Sequence, residues 1–305
     1  MNFKRFAIAV LLCTGSCSVV QKQETVLTEQ PAKKPTFFVT IPITKFSPIQ
    51  SPCVNVEIEG KILSVELDLG FRGDITVMQE SLELISSKMF IGEKPMYGIR
   101  GKEYIKKLYR LPKIKMGAMT FFKPILQEEK TEFIQDSSFV QGEREPSARE
   151  VGRLGWELFY NTNLFVDIKN ARIAFCDSWD TLKNEGYMME NFIKTALFLE
   201  QGLVEFEAET PEGPLRCTLD TAASWNVLNT ELKDGESVDE VIWKPENILD
   251  YSSFKIESED FGPIAFHRMP IQLPIRVEAI LGMEFFKDHA IFLDFAGKSA
   301  YFSKE

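Results

Sequence analysis

The sequence predicts a mostly β protein built from two similar halves. Short runs of alternating apolar and polar residues recur along the chain, which is typical of half-buried strands. Two such stretches run into an aspartate, Asp68 in the first half and Asp220 in the second. Each half then carries a Leu-Gly-x-Glu-x-Phe segment, beginning at Leu154 and at Leu281. The repeated order of these features indicates an internal duplication.

Length and composition place the chain among globular proteins. Its 305 residues are 44% apolar and 26% charged, and 25 of them are phenylalanine, which is enough to form a large core in one two-lobed domain or two ordinary ones. The formal net charge is −10, and no basic stripe stands out. A nucleic-acid partner is therefore not expected.

The N-terminus predicts export. Two basic residues precede the apolar run 6–12, small residues follow, and the run is too short to span a bilayer. Cys17 resembles the processing site of bacterial lipoproteins, where the cysteine becomes lipidated. The expected location is the periplasm or cell envelope, with a membrane anchor at Cys17. Plain secretion and an uncleaved signal anchor stay open, because Thr14 stands where lipoproteins usually have Leu.

The predicted elements follow in order along the chain. Residues 18–36 are polar and lack a hydrophobic period, which indicates a flexible tether. Alternation over 54–59 and 62–67, around Gly60-Lys61, predicts a hairpin that leads into Asp68. A second hairpin, from 203 to 219, leads into Asp220 in the same way. The two halves therefore place an aspartate at equivalent strand ends.

The distal segments repeat more closely than the hairpins. Asp167 lies twelve positions after Gly155, and Asp294 lies twelve positions after Gly282. The first half carries about 25 more residues than the second between its aspartate and its Leu-Gly segment. The polar stretch 127–150 is predicted to hold this surplus as a surface loop.

Both halves resemble the motifs of retropepsin-like and pepsin-like aspartic proteases, over roughly residues 50–305. The matching segments are Leu67-Asp68-Leu69-Gly70 with Arg153-Leu154-Gly155-Trp156, and Leu219-Asp220-Thr221-Ala222-Ala223-Ser224 with Ala279-Ile280-Leu281-Gly282-Met283. The resemblance implies two pseudo-symmetric β lobes with an active cleft between them. The domain boundaries would be a signal at 1–17, a tether at 18–36, a first lobe at 37–177, a connector at 178–195 and a second lobe at 196–305.

The same resemblance implies an aspartic endopeptidase. Asp68 and Asp220 would activate a water between them and hydrolyse a peptide bond of a peptide or protein substrate, without a cofactor or a metal. One chain holds both half-sites, so dimerisation is not required. The supporting residues would be Gly70, Thr221, Ala222, Ser224, Gly155 and Gly282. A flap is expected at 96–104, with Tyr97 or Tyr104 over the cleft, although a plain hairpin turn fits this segment as well.

Three departures from the family motif favour an alternative. Leu69 replaces a Thr or Ser, Ala222 replaces a Gly, and Arg72 stands where the other half has Ser224. An arginine near Asp68 would favour its ionised form, although such a side chain more often turns to solvent. The alternative is a catalytically degenerate protease-like scaffold that binds a peptide or envelope partner in the same cleft. A structural lipoprotein of unrelated β fold is a third hypothesis.

The remaining reactive residues predict no further site. His267 and His289 are the only histidines and lie in no metal-binding motif, so no metal is expected. Asp167 and Asp294 match a strand position away from the cleft and are interpreted as structural. Beyond the signal segment three cysteines remain, an odd number without a C-x-x-C pair, so a disulfide framework is not expected.

Overall fold

The computed structural model describes residues 37–47, 50–98, 101–130, 152–231 and 247–304. The predicted signal segment 1–17 with Cys17, the tether 18–36 and most of the predicted loop 127–150 lie outside these residues. Export and lipidation therefore stay predictions. Among the described residues, no helix has both the length and the apolar character needed to cross a bilayer.

The prediction of a mostly β protein is confirmed. The strands up to residue 176 are β1 (Phe38–Ser47), β2 (Gln50–Ile58), β3 (Lys61–Asp68), β4 (Ile75–Met78), β5 (Met89–Tyr97), β6 (Glu103–Arg110), β7 (Lys113–Met116), β8 (Met119–Phe122), β9 (Ile125–Glu129), β10 (Gly152–Gly155), β11 (Asn163–Asp167) and β12 (Arg172–Cys176). The strands after it are β13 (Phe192–Ala196), β14 (Glu205–Thr210), β15 (Gly213–Leu219), β16 (Val227–Asn229), β17 (Ile248–Tyr251), β18 (Lys255–Ile256), β19 (Glu259–Asp260), β20 (Ile264–Met269), β21 (Ala279–Leu281), β22 (Ile291–Asp294) and β23 (Ser299–Ser303).

Helices are short. The α-helices are Gln79–Leu82, Trp179–Asn184 and Met283–Phe286, and the 3₁₀ helices are Trp156–Phe159, Met189–Asn191 and Glu200–Gly202. Within the described residues the strands fall into two sheets. The larger has the order β13-β23-β22-β11-β12-β1-β2-β3-β10-β4-β9-β6-β5, with β7 paired to β2 and β8 paired to β7. The smaller has the order β17-β20-β16-β21-β15-β14-β18-β19.

Both hairpins predicted to lead into an aspartate are confirmed. In the first half β2 pairs antiparallel with β3, which ends at Asp68. In the second half β14 pairs antiparallel with β15, and Asp220 follows its last residue. The strand after each aspartate, β4 or β16, lies antiparallel to a third strand, β10 or β21, which runs parallel to the hairpin. The two aspartates thus occupy matching places in matching sets of strands.

The distal repeat forms the join between the halves. Strands β11 and β22 pair antiparallel, with Phe165 directly opposite Phe292. These two phenylalanines occupy equivalent positions in the two Leu-Gly repeats, so equivalent strands meet about a local twofold axis. Trp179 covers this join, since its ring stacks on Tyr301 at a centroid distance of 4.1 Å and lies 5.3 Å from Phe292.

The prediction of a surface loop at 127–150 is wrong for its first residues. Gln127, Glu128 and Glu129 lie in β9 and are at most 3% exposed. Strand β9 is enclosed between β4 and β6, and the charge of Glu129 is paired there with Lys106 and Arg153. This error is informative, because Glu129 belongs to the site described below.

Candidate functional site

Asp220 directly follows β15 at the start of a tight turn. Its backbone N–H donates to the Leu281 carbonyl at 3.0 Å. Its side-chain Oδ1 accepts hydrogen bonds from the N–H groups of Ala222 at 2.8 Å and Ala223 at 3.1 Å. Two of the predicted support residues of this half, Ala222 and Ser224, line the same cavity as Asp220. The turn thus holds one carboxylate oxygen and leaves Oδ2 without a hydrogen bond from any described residue.

Asp68 ends β3 in the same backbone position but in different surroundings. It is 3% exposed, and its Oδ2 accepts a hydrogen bond from Arg153 Nη1 at 3.0 Å. Arg153 also donates from Nη2 to Glu129 Oε2 at 2.7 Å. Glu129 in turn accepts from Lys106 Nζ at 2.8 Å. Asp68 is therefore one end of a buried chain of alternating charges.

Burial and the neighbouring charges shift the pKa of each group in this buried chain. Burial alone would raise the pKa of Glu129, but the charges of Arg153 and Lys106 outweigh it and hold this pKa below its ordinary value. Burial lowers the pKa of Lys106 to about 8, against the opposing pull of Glu129. The two carboxylates keep the pKa of Arg153 raised despite its burial. Such a chain is stable only while every charge keeps its partner.

The two aspartates titrate differently from free carboxyl groups. Burial, followed by the charge of Asp68, raises the pKa of Asp220 to about 7. Burial also raises the pKa of Asp68, while the bond from Arg153 opposes the rise. Because an ion pair favours the charged form, the hydrogen bond from Arg153 favours the ionised form of Asp68 more than that of Asp220.

Thr221 joins the two halves beneath the aspartates. Its hydroxyl donates to the Leu67 carbonyl at 2.5 Å and accepts from the Leu69 N–H at 3.1 Å. The first half has no hydroxyl to return this contact, as expected from Leu69, whose side chain is fully buried. The link therefore forms in one direction only, from the second half to the first.

Three predicted glycines lie at close backbone approaches. A Cβ at Gly70 would lie 2.5 Å from Cγ of Asp220, so Gly70 allows the two turns to meet. Cβ atoms at Gly155 and Gly282 would collide with carbonyl oxygens of the turns that follow Asp68 and Asp220. These positions support the geometry of the turns and carry no chemistry of their own.

A cavity of about 680 Å³ opens beside the two turns. Asp68 and Asp220 both line it. The second half supplies an apolar wall, formed by Leu203, Val227, Leu273, Ile275, Val277 and Ile280, and Trp225 lies beside Asp220. The volume is within the range typical of small-molecule sites, roughly 300–1,000 Å³.

Of the two tyrosines named for a flap, Tyr97 lines the cavity and Tyr104 does not. Strands β5 and β6 form a hairpin, and Tyr97 at the end of β5 lines the cavity. Tyr104 lies on the buried face of β6, with Lys102 over its ring at 4.9 Å, and is not among the cavity-lining residues. The hairpin turn reaches the second half, since a Cβ at Gly101 would lie 2.8 Å from the Gln272 carbonyl oxygen.

The arginine that meets Asp68 is not the one considered from the sequence. Arg72 is 61% exposed in its side chain and pairs with Glu157 at 3.1 Å. Arg153 takes the inner position instead. Its sequence signal was available, because Arg153 precedes Leu154-Gly155 at the place where the second half has Ile280 before Leu281-Gly282. Glu129 and Lys106 gave no comparable signal.

Comparisons with known proteins show a likeness of fold. No family model matches the chain, and no curated protein matches it in sequence. One similar solved structure is the crystal structure of Basic 7S globulin from soybean, with a TM-score of 0.57 and 11% sequence identity. The match covers 89% of this chain and 96% of that chain. At this identity the likeness concerns the fold alone.

This comparison corrects the identification made from the motifs. The matching structure is named as a globulin and not as a peptidase, which points away from the aspartic protease superfamily. The predicted endopeptidase, the alternative of a degenerate protease-like scaffold and the peptidase description are overturned with it. The physical difference from the motif lies at Asp68, because a carboxylate that already accepts a hydrogen bond from Arg153 is a weaker base toward a water than an unpaired carboxylate.

Proposed function

We propose that the protein is a non-catalytic binding protein for a small, mostly apolar molecule that carries a hydrogen-bond acceptor. The ligand would lie in the 680 Å³ cavity against the apolar wall, with its acceptor oxygen at the protonated carboxyl group of Asp220. The observation that carries this proposal is Asp220 itself. One of its oxygens is held by two backbone N–H groups, and the other is available in the cavity.

We also propose that the cavity lies between two similar β lobes related by an approximate twofold axis. The pairing of Phe165 with Phe292 supports this arrangement. So do the matching strands around Asp68 and Asp220. In this arrangement the first half supplies most of the polar side of the cavity and the second half supplies the apolar wall, so a ligand with one polar and one apolar side would contact both.

The charge around Asp220 favours an uncharged group as its partner. A cationic group would have to enter a cavity in which the charges of Arg72 and Arg153 are paired with those of Glu157 and Asp68, and Lys94 adds a further positive charge. The pKa of about 7 means that Asp220 retains its proton at neutral and lower pH far more than an ordinary carboxyl group does. A protonated carboxyl is a hydrogen-bond donor, so a carbonyl or ether oxygen of the ligand satisfies it.

The proposal is tested by the pH dependence of binding. Methyl dodecanoate, an uncharged ester with an apolar chain, would be titrated into the protein between pH 5 and 9 while the fluorescence of Trp225 is followed. Affinity is expected to be constant at low pH and to fall as the pH rises through about 7, because Asp220 then loses the proton that it donates. Trp225→Phe should remove the signal.

Two variants identify the group responsible for the pH dependence. Asp220→Asn keeps a donor that does not ionise, so binding should persist with a flat pH profile. Asp250→Asn changes an exposed aspartate on β17 and should leave both affinity and profile unchanged. Absence of binding at every pH would refute the proposed function. Binding that strengthens with rising pH would show instead that the site takes a cation.

A further inference from the structure

Lys94 is a cation of the cavity that the proposed function does not use. It lies on β5 and lines the cavity with Pro95, Met96 and Tyr97. Its side chain is partly buried, on the inward face of the hairpin. In register it lies directly opposite Lys106 on β6. The hairpin therefore turns two neighbouring lysines toward the interior.

The two lysines differ in how their charge is compensated. Lys106 is bonded to Glu129 at 2.8 Å. Lys94 forms no hydrogen bond or ion pair with any residue in the described part of the chain. Burial lowers the pKa of Lys94, and the nearby charge of Arg72 lowers it further, while Glu157 acts in the opposite direction. An anion at Nζ would reverse the effect of burial by stabilising the ammonium form.

The two carboxylates whose charges raise the pKa of Lys94 accept hydrogen bonds from other groups. Glu157 Oε1 accepts from Arg72 at 3.1 Å. Asp74 Oδ2 accepts from the Ile125 N–H at 2.7 Å. Both influence Lys94 electrostatically without forming an ion pair with it. The ammonium group is thus left with donors for a group that enters the cavity from outside.

We propose that Lys94 binds an acidic group of the ligand, so that the molecule taken up is an amphipathic organic acid such as a fatty acid. This inference rests on the proposed function and adds a second polar anchor to it. The carboxylate would meet Lys94 in the first half, and the apolar chain would lie along the wall formed by Leu203, Val227, Ile275 and Val277 in the second. A charged hydrogen bond in such a site changes affinity by about tenfold or more.

The test compares an acid with its uncharged ester. Dodecanoate and methyl dodecanoate have the same chain, so the difference between their dissociation constants at pH 6.5 isolates the acidic group. The intact protein should bind dodecanoate about tenfold more tightly than the ester. Lys94→Met should remove this preference while leaving the affinity for the ester nearly unchanged. Lys94→Arg should retain it.

A matched lysine elsewhere serves as the control. Lys113 on β7 is exposed and lies outside the cavity lining, so Lys113→Met should behave as the unaltered protein. Equal affinity for acid and ester in the unaltered protein, or a preference that survives in Lys94→Met, would overturn the inference. In either case binding of the ester would still support the proposed function. Failure of both molecules to bind would refute the proposed function as well.

Discussion

The two aspartate turns lie in the same arrangement of strands and differ in the sequence of the strand beside them. Asp68 and Asp220 each end a hairpin strand and lie next to a parallel Leu-Gly strand. In β10 the residue before Leu-Gly is Arg153, whereas in β21 it is Ile280. The arginine bonds to Asp68, and the isoleucine contributes to the apolar wall beside Asp220. One difference in the repeat thus decides which carboxyl group is paired with an arginine and which lies beside an apolar wall.

The difference extends to the next strand. In the first half, Arg153 on β10 lies opposite Thr76 on β4, which pairs with Gln127 on β9. In the second half, Ile280 on β21 lies opposite Val227 on β16, which pairs with His267 on β20. Two residues further along, β9 has Glu129 and β20 has Met269. An ion pair in one half therefore corresponds to an apolar contact in the other, where Met269 and Ile280 pack in the same cluster. The same strand arrangement accommodates either solution.

The largest expected effect comes from breaking the ion pair. Arg153→Leu leaves Asp68 and Glu129 buried without their shared cation, and should lower the free energy of unfolding by about 3–5 kcal/mol. The matched change Ile280→Val removes one methyl group from the apolar side and should cost about 1 kcal/mol. Urea denaturation of both variants at pH 7 provides the measurement. Equal losses would show that the two halves do not differ in this way.

A multiple variant sharpens the same comparison. Lys106→Met, Glu129→Met and Arg153→Ile together give the first half the apolar residue types found in the second. Replacing buried ions together by apolar residues is often neutral. The combined variant leaves only Asp68 without its cation, whereas Arg153→Leu removes the cation from both Asp68 and Glu129, so the combined variant should be the more stable of the two. A combined variant that is less stable would indicate that the charges are needed for packing of β9 and β10.

The next effect concerns the one-sided link between the halves. Thr221→Val removes the hydroxyl that bonds to Leu67 and Leu69, leaving a buried N–H group unsatisfied. We expect a loss of about 2 kcal/mol in the free energy of unfolding. Thr221→Ser keeps the hydroxyl and should lose much less. If both variants lose the same amount, the methyl group of Thr221 and not its hydroxyl stabilises the join.

Much of this fold could be predicted from local patterns. Strand alternation and the spacing of the repeats identified the hairpins, both aspartate turns and the glycines beside them, because these depend on short-range backbone requirements. The repeat also placed Phe165 and Phe292 at equivalent positions. Their pairing across the join then follows from symmetry.

The chemistry of the site depended on contacts that spacing does not encode. Arg153 reaches Asp68 from 85 positions away, and Glu129 reads as part of a polar loop until β9 is seen between two other strands. Polarity in a sequence is the same for an exposed loop and for a buried charge that has a partner. The motif therefore located the two carboxyl groups without showing that one of them, Asp68, is paired with an arginine.

The smallest expected effect is a loss of protein stability with rising pH that is caused by Asp220. The folded protein holds the proton of Asp220 to about pH 7, whereas an unfolded chain releases it near pH 4. Stability therefore falls as the pH rises from about 4 to about 7, because the unfolded state then gains by ionising. Asp220→Asn has no such penalty, so its melting temperature relative to the unaltered protein should be higher at pH 8 than at pH 4. In free energy of unfolding, the advantage of Asp220→Asn at pH 8 over that at pH 4 should be about 1–2 kcal/mol, since Asp220 is partly exposed to the cavity. Asp250→Asn should show no such trend, and a flat profile for Asp220→Asn would mean that the second half also holds its carboxylate ionised.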